Sequence, residues 1–182
     1  LNRIFILNEK FQKHFKVYSF HTLFKELLNF CTIDLSAFYF DIRKDTLYCD
    51  TKDSEKRKNC IVTLNIILEC LLKWLAPILS FTTEEIFSII NKENKSIHLE
   101  KFVKIPNSWN NDKLNEKWNI LKKIRDNCNI SIEEKRAEKV IGSSLEAKID
   151  LKLSNNLYDL TKNVDFAELC ITSEAHVFHA NK

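Results

Sequence analysis

Glycine and proline are scarce in this chain of 182 residues, which contains Gly142 alone and two prolines, Pro77 and Pro106. A β-sandwich of many short strands needs a turn roughly every 8–12 residues. So few turn-forming residues therefore favour long helices joined by polar links. Both common glycine-rich phosphate loops need several glycines for close backbone approach, so one glycine excludes nucleotide binding by either route.

Methionine is absent altogether, and the chain begins at Leu1. We expect it to be an internal or C-terminal piece of a longer protein, with N-terminal processing as the alternative. No charged-then-apolar signal segment opens the sequence, and no apolar run reaches the ~18 residues of a membrane span. The expected location is cytoplasmic.

The six cysteines lack the spacing of a metal site, because none forms a Cys-x-x-Cys pair and no histidine lies at ligand spacing from them. Free thiols in a reducing compartment are the expectation, with no metal site in this chain. The composition, 45% hydrophobic and 11% aromatic, favours a packed core, and the net charge of +3 permits nucleic-acid binding without requiring it.

Apolar periodicity predicts a mainly α fold, with a helical bundle over residues 1–140 and a small α+β appendage over residues 141–182. Ser54 is predicted to cap a long helix, and Asp34 either caps a new helix or marks a kink. After Gly142 the sequence alternates with period two, which predicts a strand. The predicted helices cover residues 3–16, 20–30, 35–48, 55–76, 82–90, 112–139 and 155–162, and the predicted strands cover residues 145–153 and 170–178.

Several core positions follow from the same patterns. Trp74 lies in a stretch with almost no charge and is predicted to be buried between helices. Tyr39 and Tyr48 are predicted to lie at the edge of the core, although stacking on nucleic-acid bases is an alternative role. The long helix from residue 55 is predicted to turn these residues inward: Ile61, Leu64, Ile67, Leu68, Leu71, Leu72 and Leu75.

Four separated blocks of sequence carry a resemblance to a known family. They are NFCTIDLSAFYFDIRKDTLYCD at residues 29–50, LLKWLAPILSFTTEEIF at 71–87, SIHLEKF at 96–102, and WNILKKIRDNCNISIEEKRAEKVIGSSLEAKIDL at 118–151. In this order they resemble the anticodon-binding region of class I aminoacyl-tRNA synthetases, and most closely that of isoleucyl-tRNA synthetases. The ILSFT and IGSSLEA segments distinguish that group from the valine and leucine enzymes.

The resemblance implies a tRNA-binding module of an isoleucine–tRNA ligase, a larger enzyme that uses ATP. The family's His-x-Gly-His and Lys-Met-Ser-Lys-Ser signatures are absent, so this chain alone is expected to be inactive and to hold no cofactor. ATP and Mg²⁺ would belong to a catalytic domain elsewhere, and Zn²⁺ to a ribbon beyond residue 182. Two departures stand out, since Thr46 replaces a usual Arg and Asn2 replaces a usual acidic residue.

Basic residues form two candidate tRNA-binding sets, because a folded RNA is held mainly through its phosphates. The first set is Arg43, Lys44, Lys52, Lys56, Arg57 and Lys58. The second set is Lys122, Arg125 and Arg136, with Lys123 and Lys135 beside them. An ordinary solvated surface is the alternative for both sets, and nearby glutamates dilute the second.

The expected partners are tRNA(Ile) and the catalytic and editing domains of the same polypeptide. No membrane is expected as a partner, and the protein is expected to be a monomer. No catalytic residue is predicted. Two other functions stay open: the same domain of the valine, leucine or methionine enzyme, and a helical protein-interaction module that binds no RNA.

Overall fold

Helices make up nearly all of the regular structure in the computed structural model, which describes residues 1–91 and 95–180. The chain divides into two compact units, Leu1–Asn110 and Asn111–Lys182. The prediction of a mainly α fold is confirmed. The predicted domain boundary at residue 140 stays a prediction, although the last long helix belongs to the second unit.

The first unit is built from helices that follow one another closely. Short 3₁₀ turns at Ile97–Leu99 and Asn107–Trp109 complete it. Its helices are α1 (Asn2–Lys16), α2 (Phe20–Asn29), a π-helical segment (Phe30–Phe40), α3 (Asp41–Tyr48), α4 (Glu55–Leu75) and α5 (Ser80–Ile90).

The helix from α2 to α3 runs without a break through the π-helical segment, because the backbone stays in the right-handed helical region at Phe30 and Asp41. Asp34 lies inside this segment and accepts a 2.8 Å hydrogen bond from Arg3 Nε, which ties the segment to α1. Of the two alternatives for Asp34, the cap is wrong, because its carboxylate forms a tertiary ion pair with Arg3, and the other alternative, that the two helices run on, agrees with the unbroken helical backbone.

One core joins α1, α2, the π-helical segment and α4. Helix α1 contributes Ile4, Leu7 and Phe11 to this core, and Trp74 is completely buried at 0% exposure, as predicted. The Trp74 ring stacks against that of Phe11, with 5.8 Å between ring centroids. The buried members of this core are Ile4, Leu7, Phe11, Leu23, Leu27, Phe30, Leu35, Ile67, Cys70 and Trp74.

Helix α4 buries most of the predicted face, since Ile67 and Leu72 are buried and Leu64, Leu71 and Leu75 are half-buried, but two predicted positions are wrong. Ile61 and Leu68 are exposed, whereas Cys60 and Cys70 are buried. Apolar residues occur on more than one side of this helix, so neighbouring helices decide which side is covered. The predicted cap is confirmed, because Ser54 Oγ accepts a hydrogen bond of 3.3 Å from the backbone N–H of Arg57.

Helix α5 begins at Ser80, two to three residues before the predicted start at Thr82 or Thr83. Thr83 is buried within the helix, and its hydroxyl donates to the carbonyl of Leu79 at 3.0 Å. Thr83 therefore satisfies a turn inside α5 and does not cap its N-terminus.

The second unit combines the long helix α6 (Asp112–Ala137) with a small α+β arrangement. Asn111 caps α6 by accepting a 2.9 Å hydrogen bond from the backbone N–H of Leu114. A 3₁₀ turn at Ser144–Glu146 precedes the remaining elements. These are β1 (Lys148–Leu153), α7 (Asn155–Thr161), α8 (Phe166–Cys170) and β2 (Glu174–His179).

Strands β1 and β2 pair in parallel, with Lys148 opposite Glu174. Parallel pairing needs a crossover connection, which α7 and α8 supply. The apolar side of β1 is less exposed than its charged side, as the alternating sequence predicts. The prediction that the second strand begins at Cys170 is wrong, because Cys170 ends helix α8 and Ile171 adopts the left-handed conformation with φ of 58°.

Candidate nucleic-acid interface

The connection between α3 and α4 is a short link whose shape is fixed by hydrogen bonds. Ser54 Oγ donates to Asp50 Oδ2 at 2.9 Å, and Arg57 Nη1 donates to the backbone carbonyl of Asp50, also at 2.9 Å. The backbone N–H of Ser54 donates to the carbonyl of Thr51 at 3.1 Å. The basic side chains of this junction therefore project from an ordered turn.

Helix α3 has a clear inner and outer side. Ile42 and Thr46, one turn apart, are buried, so Lys44 projects on the opposite side, which is exposed. At ~100° per residue, Tyr48 follows Lys44 on that outer side. Thr46, at the position where the resemblance leads us to expect Arg, is buried and faces the interior.

Arg43 lies between these two sides and is half-buried. Its positive charge acts on Tyr39, one turn earlier, whose hydroxyl lies 3.6 Å from Cys60 Sγ. Burial, with the Cys60 contact as the next cause, raises the pKa of Tyr39 to about 12. Tyr39 thus lies at the edge of the core, as predicted, and its hydroxyl contacts Cys60. Arg43 belongs partly to the packing around it.

The first predicted set lies on one continuous stretch of the first unit, and most of its cations are accessible. Lys44, Lys52, Lys56 and Lys58 are exposed, whereas Arg57 is half-buried and holds the turn. Lys58 Nζ lies 3.6 Å from Asp53 Oδ1, a solvent-exposed pair. Such pairs hold their partners weakly, so Lys58 can exchange Asp53 for another anion.

The charge balance of this surface is close to even. Residues 41–58 contain six basic and five acidic side chains. Attraction of a polyanion by net charge alone is therefore modest, and any RNA contact here depends on where the individual lysines lie. The N-terminus of α4 adds a partial positive charge, because the first backbone N–H groups of a helix point outward.

The second predicted set does not form one surface on α6. Lys122 is half-buried, and exposed Arg136 donates to Glu133 Oε1 at 2.6 Å. Arg125 is only 9% exposed, and its Nε donates to the carbonyl of Leu169 at 2.8 Å. Arg125 therefore supports the packing of α6 against α8, and we leave it out of the proposed RNA surface.

Tyr48 departs from its predicted position. It was expected at the edge of the core, and its side chain is instead 82% exposed. The expectation is wrong because the helix buries Ile42 and Thr46 and turns Tyr48 outward. A signal in the sequence was available, because Tyr39 lies in the apolar run Phe38–Phe40, whereas Tyr48 lies close to Asp45 and Asp50.

Within residues 1–91 and 95–180, no group of three or more His, Cys, Asp or Glu side chains is placed to hold a metal ion. In the same ranges no helix has the length and apolarity needed to cross a membrane.

Residues 1–151 of the chain match the protein family described as the anticodon-binding domain of tRNA ligase. That match covers the first unit, α6 and part of β1, including both predicted basic sets. The chain belongs to this family of anticodon-binding domains.

Individual relatives agree with that family. Over 181 aligned residues the chain is 64% identical to the isoleucine–tRNA ligase of Pelagibacter ubique. The alignment covers 100% of this chain and 20% of that relative. The chain is 39% identical to the isoleucine–tRNA ligase of Mesorhizobium japonicum and 41% identical to that of Agrobacterium fabrum. These two alignments cover 98% and 95% of this chain, respectively, and 18% of each relative. The chain thus spans about a fifth of the length of these curated relatives.

Proposed function

We propose that this chain is the anticodon-binding region of an isoleucine–tRNA ligase and that it binds tRNA(Ile). The observation that carries the proposal is the family match over residues 1–151, together with similarity over the whole of this chain to one region of isoleucine–tRNA ligases. These relatives favour the isoleucine enzyme over the valine, leucine and methionine enzymes. They also favour RNA binding over a helical module that binds only protein.

The whole enzyme would attach isoleucine to tRNA(Ile) in the cytoplasm, using ATP in a catalytic domain. The role of this module would be binding without chemistry. Contacts far from the reacting atoms provide binding energy that orients the acceptor end of the tRNA and improves discrimination between tRNAs. A monomeric state and the absence of cofactors in this region are part of the same proposal.

The proposed RNA surface is the outer side of α3 with the following turn and the start of α4. Lys44, Lys52 and Lys56 would contact phosphates, since their side chains are exposed on an ordered segment. Arg57 would act indirectly, because its guanidinium holds the turn through the carbonyl of Asp50.

A salt series tests the proposal. Fluorescence anisotropy with a labelled tRNA(Ile) transcript should show affinity falling linearly on a log–log plot, as counterions are released from each contacted phosphate. A tRNA(Val) transcript should bind more weakly. Affinity that does not depend on salt, or no binding at all, would contradict the proposal.

A pair of double variants locates the surface. Lys44→Ala with Lys52→Ala removes two exposed cations from it, and the slope should become shallower by about 1.4 to 1.8, at roughly 0.7–0.9 per lost contact. The matched control, Lys13→Ala with Lys25→Ala, removes the same charge from exposed positions on α1 and α2. Equal effects of the two double variants would place the contacts elsewhere.

A further inference from the structure

Tyr48 is an aromatic side chain exposed beside cations. It is 82% exposed at the end of α3, and exposed Lys44 lies one turn before it on the same side of the helix. Exposed Lys52 follows it by four residues, in the ordered turn that leads into α4. An aromatic ring with so much of its surface in water gains little from packing within the chain.

The other tyrosines of this unit differ in their surroundings. Tyr39 is half-buried and its hydroxyl contacts Cys60. Tyr18 is almost as exposed as Tyr48, at 79%, but its ring packs edge-on against Phe20, with 6.1 Å between ring centroids. Tyr18 also lies in the connection between α1 and α2, outside the proposed RNA surface.

A single-stranded RNA loop is bound by two kinds of contact that work together. Cations contact the backbone phosphates, and aromatic rings stack on bases that have left the helical stack. Consecutive phosphates in an extended strand lie several ångströms apart, a distance similar to one turn of an α-helix. When a base stacks on an aromatic ring, a lysine one turn away on the same side of the helix can therefore contact the phosphate of that nucleotide. Lys44 and Tyr48 have this relationship on the outer side of α3.

We propose that Tyr48 stacks on an unpaired base of the bound RNA loop, with Lys44 and Lys52 on the flanking phosphates. The inference rests on the proposed function and adds a base-contacting residue to it. The basic side chains of the proposed RNA surface would bind only the phosphates of the RNA backbone. Stacking is tolerant of sequence, so Tyr48 contributes affinity for an open loop and little choice between bases.

The test uses the full chain and an RNA stem-loop with a seven-nucleotide loop, beside a fully paired duplex of the same length. Tyr48→Ala should weaken stem-loop binding about 5- to 150-fold, the range that corresponds to alanine replacement of a stacking residue. The salt slope should stay unchanged, because no phosphate contact is removed. Duplex binding should be the same as for the unmodified chain.

Three companion measurements separate stacking from other roles. Tyr48→Phe keeps the ring and should recover most of the affinity lost in Tyr48→Ala, whereas Tyr48→Leu should not. Tyr18→Ala is the matched control for an exposed tyrosine and should bind like the unmodified chain. Urea melts should give the same midpoint for the Tyr48 variants as for the unmodified chain, and the affinity of Tyr18→Ala is corrected for its folded fraction, since that variant loses the contact with Phe20.

The outcomes distinguish this inference from the function on which it rests. If the unmodified chain binds the stem-loop and Tyr48→Ala binds equally well, the stacking role is wrong and the proposed function stands. An altered salt slope, or an equal loss for the duplex, also overturns stacking. If the unmodified chain binds neither RNA, the proposed function fails and the inference fails with it.

Discussion

Replacing Trp74 with alanine tests the division between the core and the proposed RNA surface of the first unit. The Trp74 side chain is 0% exposed and stacks against Phe11, at the centre of the core that joins α1, α2 and α4. Loss of the indole removes apolar burial and leaves a cavity that the surrounding helices only partly close. The expected loss in the free energy of unfolding is about 3–5 kcal/mol.

Trp74→Phe is the matched variant. The indole Nε1 of Trp74 is buried without a hydrogen-bond partner among the described residues. Leaving a buried N–H unpaired costs about 1–3 kcal/mol. Phenylalanine removes that N–H while keeping a ring, so its net loss of stability should be well below that of alanine.

Urea melts give the stability of each variant, and tRNA titrations corrected for the folded fraction give the affinity. A domain of this size is typically stable by about 5–15 kcal/mol, so Trp74→Ala should leave a population that can still fold. Its corrected affinity should equal that of the unmodified chain. Unchanged stability with a collapsed affinity would refute the reasoning, because Trp74 would then contact RNA.

Three other predictions concern thiols, alkaline stability and catalysis. Cys49 is exposed and should react first with a disulfide reagent in the native chain. Half-buried Cys31 should react more slowly, because burial raises the pKa of its thiol. The four buried thiols should react only on unfolding. Rapid titration of three or more thiols would contradict this. The folded-state pKa of Tyr39, about 12, lies above its ordinary value of 10, so its contribution to stability is complete below pH 10 and is lost as pH rises through 12. Tyr39→Phe should therefore flatten the alkaline fall in stability measured between pH 10 and 12, and an unchanged profile would show that the Tyr39 hydroxyl does not titrate this way. No ATP–pyrophosphate exchange should be measurable with this chain and any amino acid, since it carries neither adenylate-site signature nor a glycine-rich loop, and exchange above background would contradict the proposed role.

Much of the fold could be predicted because its signals are local. The shortage of glycine and proline favoured helices, and the cap at Ser54 was recognisable from the side chain alone. The burial of Trp74 followed from the nearly charge-free sequence around it. The alternation after Gly142 correctly placed β1, although the strand starts three residues later than predicted.

The failures have tertiary causes. Arg125 was assigned to a surface from its neighbours on α6, yet its partner is a carbonyl 44 residues further along the chain. Asp34 looked like a cap, and its partner is Arg3 on another helix. On α4, Ile61 and Leu68 are exposed against the prediction, because the helix is apolar on more than one side and its neighbours leave these two positions uncovered. The RNA roles of the basic residues stay predictions, since burial and hydrogen bonds establish which side chains are accessible and do not establish what they bind.

Hydrogen exchange of the backbone amides, followed with and without tRNA(Ile), tests the central claim most directly. It reports where RNA covers the chain without requiring any substitution. RNA bound at the proposed surface should slow exchange across residues 43–58, at the end of α3, the following turn and the first turn of α4. Unchanged exchange in that segment, with protection confined to residues 122–136 of α6, would contradict the claim.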